Sequence, residues 1–202
     1  MAITTDCLVL GSGVAGLTFA LRAAEHGEVT IVTKRAEDES ATAWAQGGVA
    51  AVLASDDSVE RHVSDTLTAG AGLCHEVVVE LCAKEGPDAL RHLIALGVPF
   101  SRDATGELDL GREGGHTARR VAHAGDITGR EIERTLLARC AEHENIRLLE
   151  WHMGVDLIVL SKFGGPDQCA GAYVLDEKSG AVHTMLARAT VVATGGAGKV
   201  YL

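Results

Sequence analysis

Gly11-Ser12-Gly13-Val14-Ala15-Gly16 is a G-x-G-x-x-G run, a spacing suited to receiving phosphate on the backbone. Gly11 allows a tight turn, Gly13 lets a pyrophosphate approach the chain, and Gly16 lets the following helix pack on the preceding strand. The helix N-terminus then offers free N–H groups and a positive dipole end. Alone the run is a weak signal, but between a strand and a helix it points to dinucleotide binding. The alternative is a glycine-rich turn with packing duties only. The acidic residue expected about twenty positions on, which would hold ribose hydroxyls, is replaced by Lys34-Arg35. That argues against an ordinary NAD dehydrogenase; a basic residue there suits the 2′-phosphate of NADP or a phosphate of a differently bound nucleotide.

Other groups capable of chemistry are scattered. His123 with Asp126 suggests a relay but has no nucleophile beside it. Arg119, Arg120 and Arg130 are candidate anion contacts, with structural pairing to a nearby acid as the favoured role. His26, His62, His75, His92, His143, His152 and His183 lack a paired metal spacing such as H-E-x-x-H. They read as surface or core residues, and no metal is expected.

The elements that must position these residues follow from periodicity. Cys7 to Leu10 is a short apolar run meeting glycine at once, as a buried parallel strand would. Val14, Leu17, Leu21 and Ala24 share a helical face, with Gly27 as a stop. Val29 to Thr33 is a β-branched second strand, completing a βαβ unit of about thirty residues. Helices are expected from Ser58 to Ala69, from His75 to Lys84, and from Pro87 to near Gly97. Pro99 to Gly125 lacks periodicity, which in a compact domain marks function or disorder. Thr128 with Glu131 reads as a capping box for a helix to about Glu144. Strands are expected at Ile146–Glu150, Val155–Leu160, Ala170–Leu175, Val182–Ala187 and Ala189–Ala193, with a hairpin at Lys178-Ser179-Gly180. The last strand opens into Thr194-Gly195-Gly196-Ala197-Gly198.

The 202 residues suffice for one substantial core. With 18 basic against 28 acidic residues and a net charge of −10, the chain lacks the footprint of a nucleic-acid binder. Glycine, at 24 residues, has no collagen period. Five cysteines without a C-x-x-C pair point to reduced, mostly buried thiols rather than a disulfide framework. Neither a signal peptide nor a bilayer-spanning run is evident, so a soluble, cytoplasmic protein without a membrane partner is expected.

Gly11–Gly16, the strand ending in Lys34, Ala45-Gln46-Gly47-Gly48, Ala124 to Gly129 and Ala193-Thr194-Gly195-Gly196 occur in that order. This resembles the succinate dehydrogenase/fumarate reductase flavoprotein superfamily over nearly the whole chain. Ala69 to Cys74 and Arg112-Glu113-Gly114-Gly115-His116 are similar to its L-aspartate oxidase branch. The resemblance implies an α/β fold: a Rossmann-like FAD/NAD(P)-binding domain, with a parallel sheet, helices and a small antiparallel β-meander. Residues 1–202 would be its N-terminal portion. The arginine thought to act as base would lie on a capping domain beyond this chain, as would the carboxylate-binding histidines and a later helical domain. No catalytic residue is then expected within residues 1–202, and turnover by them alone is not expected.

By that resemblance Gly11, Ser12, Gly13, Val14, Ala15 and Gly16 line the FAD pyrophosphate and Lys34 sits near the adenosine end. Ala41, Thr42, Ala43, Trp44, Ala45, Gln46, Gly47 and Gly48 run beside the ribityl chain and flavin ring. Gly47-Gly48 lets backbone approach a flat ring, Thr42 and Gln46 can hydrogen-bond its polar edge, and Trp44 is expected to pack. Membrane-bound succinate dehydrogenases carry, at the position of Ala41, a histidine bonded to the flavin; alanine cannot form that bond, so the FAD should be non-covalent. Glu113 aligns with a position typically apolar in succinate and fumarate enzymes and acidic in aspartate oxidases, where it contacts substrate. His116 could meet a substrate carboxylate or serve only as a loop donor. The implied reaction is oxidation of L-aspartate to iminoaspartate, with electrons passing to O2 or fumarate. The product would feed quinolinate synthase in de novo NAD biosynthesis. The alternatives are a fumarate reductase or succinate dehydrogenase subunit, an NADP-dependent Rossmann enzyme and a non-catalytic nucleotide-binding module.

Overall fold

The computed structural model describes residues 2–196; Ala197 and Gly198, the end of the last glycine cluster, lie outside the described residues. In chain order the elements are β1 (Ile3–Leu10), α1 (Val14–Ala23), β2 (Val29–Thr33), β3 (Val49–Ala50), α2 (Val59–Ala69), α3 (Glu76–Ala95), β4 (Leu110–Gly111), β5 (Val121–Ala122), α4 (Thr128–Glu142), β6 (Ile146–Glu150), β7 (His152–Val159), β8 (Cys169–Asp176) and β9 (Val182–Val192). They form two compact units, residues 1–42 with 133–202, and residues 43–132.

The first unit holds a six-stranded sheet of order β6-β2-β1-β9-β8-β7. β6, β2, β1 and β9 run parallel, and β8 and β7 continue the sheet antiparallel. All of β2 and the Cys7–Leu10 half of β1 are buried, as expected of parallel strands covered on both faces. Leu8, Leu10, Val32, Ala172, Val174 and Met185 form one apolar cluster. α1 buries Gly16, Leu17 and Ala20, while Val14 is 40% exposed; the expected Val14–Leu21 stripe is thus shifted toward the glycine side.

One strand, inside the sheet between β1 and β8, replaces the two expected near the end of the chain. β9 runs unbroken through Arg188 because it serves two neighbours. Its first half pairs with β8 from Gly171↔Leu186 to Leu175↔Val182, while Met185 to Val192 pairs with Ile3 to Leu10 of β1. The antiparallel meander β7-β8-β9 is therefore fused to the parallel strands.

The second unit contains the small antiparallel sheet β3-β5-β4 with α2 and α3. Ser58 caps α2, its Oγ accepting the Arg61 N–H at 3.2 Å. α3 is a single 20-residue helix with Pro87 inside it, where two helices were expected. An interior proline costs about 3 kcal/mol. Ala83 and Leu90, two turns apart on one face, are both buried and hold the two halves to one axis. The aperiodic Pro99–Gly125 stretch supplies β4 and β5, too short to carry a period.

A candidate FAD site

The glycine turn leaves the carboxyl end of β1, between β2 and β9. Gly11 N–H donates to the Val32 carbonyl and the Ala193 N–H to the Leu10 carbonyl, both at 2.9 Å. The strand order changes sides at β1, and in open α/β sheets ligands bind at the carboxyl ends beside that switch. Gly11 has φ +117°, and a Cβ there would strike the Ala193 carbonyl oxygen; a Cβ at Gly16 would strike the Gly11 carbonyl. Gly13 differs: its backbone is extended, and a Cβ would stand 3.4 Å from Thr42 Oγ1. Two glycines are required by packing and the third leaves an open approach to the start of α1. That is the cradle a pyrophosphate needs, and the residues present fit a dinucleotide.

Side chains around the turn are already committed. Ser12 is buried; its hydroxyl donates to the Glu37 carbonyl at 2.9 Å and lies 3.1 Å from Thr33 Oγ1. Ser12 can therefore offer a phosphate its backbone only. Thr42 Oγ1 accepts the Val14 N–H at 3.0 Å, and Ser40 Oγ accepts the Thr42 N–H at 3.0 Å. The expected hydrogen-bonding threonine thus caps the first turn of α1. Ala15 and Lys34 are exposed, Lys34 just beyond the end of β2, as is Ala41.

Glu133, not singled out from sequence, lies beside Ser40. It is 1% exposed, its Oε1 has no partner, and burial pushes its carboxyl above the ordinary range. It shares one face of α4 with Leu136, Leu137 and Cys140, all buried, so the sequence signal was a charged residue within an apolar stripe.

In the second unit Ala45 and Gln46 are tied to the start of α4. Gly129 N–H donates to the Ala45 carbonyl at 2.8 Å and Thr128 Oγ1 to the Gln46 carbonyl at 3.4 Å. Thr128 Oγ1 also accepts the Ala124 N–H at 3.0 Å, so the hydroxyl ties two loop segments, at Ala124 and Gln46, to the start of α4. Ala43 is half-buried and ends, with Trp44, a single 3-10 turn. Trp44 is 84% exposed, which overturns the expectation that it packs. A Cβ at Gly47 would meet nothing within 4 Å, whereas Gly48, at φ +130°, has no room for a Cβ, which would stand 2.6 Å from the Ala122 carbonyl. Gly48 is a glycine because β5 crosses behind it.

Glu113 is exposed in a turn whose carbonyl accepts the His116 N–H at 3.2 Å. His116 is half-buried, its ring 5.8 Å from that of His62 and its Nδ1 3.2 Å from Arg120 Nη1. A guanidinium only donates, so Nδ1 accepts and a neutral His116 carries its proton on Nε2. Arg120 is wholly buried and forks onto Asp57, with Nη1 on Asp65 Oδ2 at 2.6 Å. Asp65 also accepts the N–H and hydroxyl of Thr117 at 2.8 and 2.9 Å. These bonds, the Thr117 amide first, hold its carboxyl down at about 2. The favoured structural role of Arg120 is what the geometry shows. Arg119 instead donates to the Leu110 carbonyl. His123 faces Asp109, at 3.7 Å, rather than Asp126.

Of the cysteines only Cys7 and Cys140 are buried, fewer than expected; all five are free. Burial pushes Cys140 up to about 12. No helix among the described residues is long and apolar enough to cross a membrane. A cavity of about 570 Å³, lined by Phe19, Arg22, Glu28 and Arg188 among others, opens away from the glycine turn and belongs to no part of the candidate site.

Residues 6–201 match the model of the FAD binding domain family. The chain belongs to that family. Its cofactor is FAD. The chain is 52% identical to L-aspartate oxidase 1 of Ralstonia nicotianae over 98% of its own length and 38% of that protein's. Against chloroplastic L-aspartate oxidase 2-b of Nicotiana tabacum the identity is 44%, over 97% of this chain and 30% of the relative. A solved E. coli quinol fumarate reductase matches all of this chain and 34% of its own, with a TM-score of 0.91 and 31% identity. The chain thus spans about a third of the length of the proteins it resembles, 30% to 38%, within the succinate dehydrogenase/fumarate reductase superfamily.

Proposed function

We propose that this chain is the FAD-binding part of an L-aspartate oxidase, which converts L-aspartate to iminoaspartate and returns electrons to O2 or fumarate. The observation that carries the reading is 52% identity to an L-aspartate oxidase along nearly the whole chain, with an exposed carboxylate, Glu113, in the turn expected to meet substrate. An α-ammonium is the group that distinguishes aspartate from succinate, and once desolvated it requires an anionic partner. Removing such a partner costs roughly 2–5 kcal/mol.

Gly11, Ser12, Gly13, Val14, Ala15 and Gly16 receive the pyrophosphate on backbone N–H groups at the start of α1, aided by the helix dipole. Lys34 stands near the adenosine end. Ala41, Thr42, Ala43, Trp44, Ala45, Gln46, Gly47 and Gly48 follow the flavin side, and the methyl group of Ala41 leaves the cofactor non-covalent. Bound there, FAD would supply the acceptor for the hydride leaving Cα. Glu113 pairs with the ammonium, and His116, fixed with Nε2–H outward by Arg120, donates to a substrate carboxylate. Residues 1–202 carry the cofactor and one side of the substrate pocket; the base belongs to a capping domain outside them. The setting is cytoplasmic, with the product passing to quinolinate synthase in NAD biosynthesis.

Fumarate reductase is the second reading, favoured by the TM-score of 0.91. Anaerobic loss of the flavin's visible absorbance, in a polypeptide of the relatives' full length, separates the two. L-Aspartate should bleach it and succinate should not; the reverse pattern sinks the oxidase reading. Glu113→Gln should lower aspartate oxidation more than fumarate reduction, and equal losses would remove the ammonium role.

A further inference from the structure

We propose a divalent transition-metal site, of zinc type, formed by His152, Asp176 and His183 at the hairpin end of the meander. Sequence spacing separates these residues, but sheet register brings them together. His152 on β7 is the cross-strand partner of Asp176 on β8, and His183 on β9 is the partner of Val174, two residues from Asp176 and so on the same face. Each offers a ligand atom, and the three atoms lie within 4.8 Å of one another. The imidazoles stack with centroids 6.2 Å apart and an interplanar angle of 20°.

The surrounding bonds are those of a ligand set. His152 Nδ1 lies 2.6 Å from the Glu150 carbonyl, which can only accept. The proton is therefore on Nδ1, and the Nε2 lone pair is free to ligate, the arrangement that orients metal-bound histidines. Asp176 is anchored by the Lys178 N–H at 2.9 Å and the Ser179 hydroxyl at 2.6 Å. An aspartate carboxyl is ionised at neutral pH, so these bonds orient an anionic ligand. Two neutral imidazoles and one carboxylate suit Zn2+, with water completing the shell. Tetrahedral ligands about 2.0–2.1 Å from the metal stand about 3.3 Å apart, so side-chain rotation must draw the three atoms together by up to about 1.5 Å. All three residues are half-buried, leaving an entry path.

The test is titration of the full chain, stripped with chelator, with Co2+ alone and then Zn2+. One Co2+ per chain should give visible d–d bands that one equivalent of Zn2+ abolishes. His152→Gln and His183→Gln should each weaken Zn2+ binding about tenfold or more with unchanged far-UV circular dichroism, while His26→Gln leaves it alone. Absence of stoichiometric binding at micromolar metal overturns the site. So does wild-type affinity in either histidine variant, or an equal loss in the His26 control. Asp176 also ties the hairpin turn, so the histidine variants decide the question. None of these readouts depends on aspartate oxidation.

Discussion

Arg120 meets Asp57 through two parallel hydrogen bonds, Nε to Oδ2 at 2.7 Å and Nη2 to Oδ1 at 2.8 Å, with both side chains fully buried. A bidentate fork of this kind satisfies a planar guanidinium that lysine could not replace. It also fixes the edge that Arg120 turns to His116, coupling a structural pair to a candidate substrate contact.

Asp57→Asn keeps the shape of the side chain and removes its charge. Breaking one partner of a buried ion pair costs roughly 3–5 kcal/mol, and part of that should appear because Asp65 remains on Nη1. Urea denaturation measures it; a change below about 1 kcal/mol would mean that the fork contributes little.

Asp65 makes stability depend on acid. Its folded value of about 2 lies below its ordinary 3.8, so the folded state favours the ionised form. The stabilisation is complete above about pH 5 and disappears as pH falls through 2. The urea midpoint difference between the wild-type chain and Asp65→Asn should therefore shrink steadily from pH 5 to pH 2. A pH-independent difference would contradict this.

The glycines of the first turn should separate binding from folding. Gly16→Ala puts a methyl group against the Gly11 carbonyl and should lower the Tm. Gly13→Ala has ordinary contact distance to Thr42, so the apo chain should keep its Tm while losing FAD, read as flavin absorbance per protein after gel filtration. Retained flavin in Gly13→Ala would move the pyrophosphate elsewhere.

Gly47 and Gly48 should differ sharply despite their adjacency. Gly47→Ala enters open space and should change stability by less than about 0.5 kcal/mol. Gly48→Ala adds strain at φ +130° to a clash with the Ala122 carbonyl and should cost about 1–3 kcal/mol or more. Thermal melts of the two variants, run side by side, check the contrast.

The sequence by itself determined what short-range chemistry controls. The strand, glycine turn and helix of Gly11–Gly16 are encoded by an apolar run, special backbone angles and a helical period within a few residues. The Asp176–Gly180 hairpin, closed by a bond from the Gly180 N–H to the Asp176 carbonyl at 2.8 Å, is equally local. Tertiary structure decided wherever distant segments compete for one group. β9 stays continuous because β1 and β8 both pair with it. α3 passes through Pro87 because Ala83 and Leu90 bury on one face, and Thr128 Oγ1 is shared with Ala124 and the distant Gln46. Arg120 finds two aspartates far away in sequence, and strand register alone assembles His152, Asp176 and His183. A local pattern specifies which elements can form; pairing and burial between them choose which polar groups share an environment.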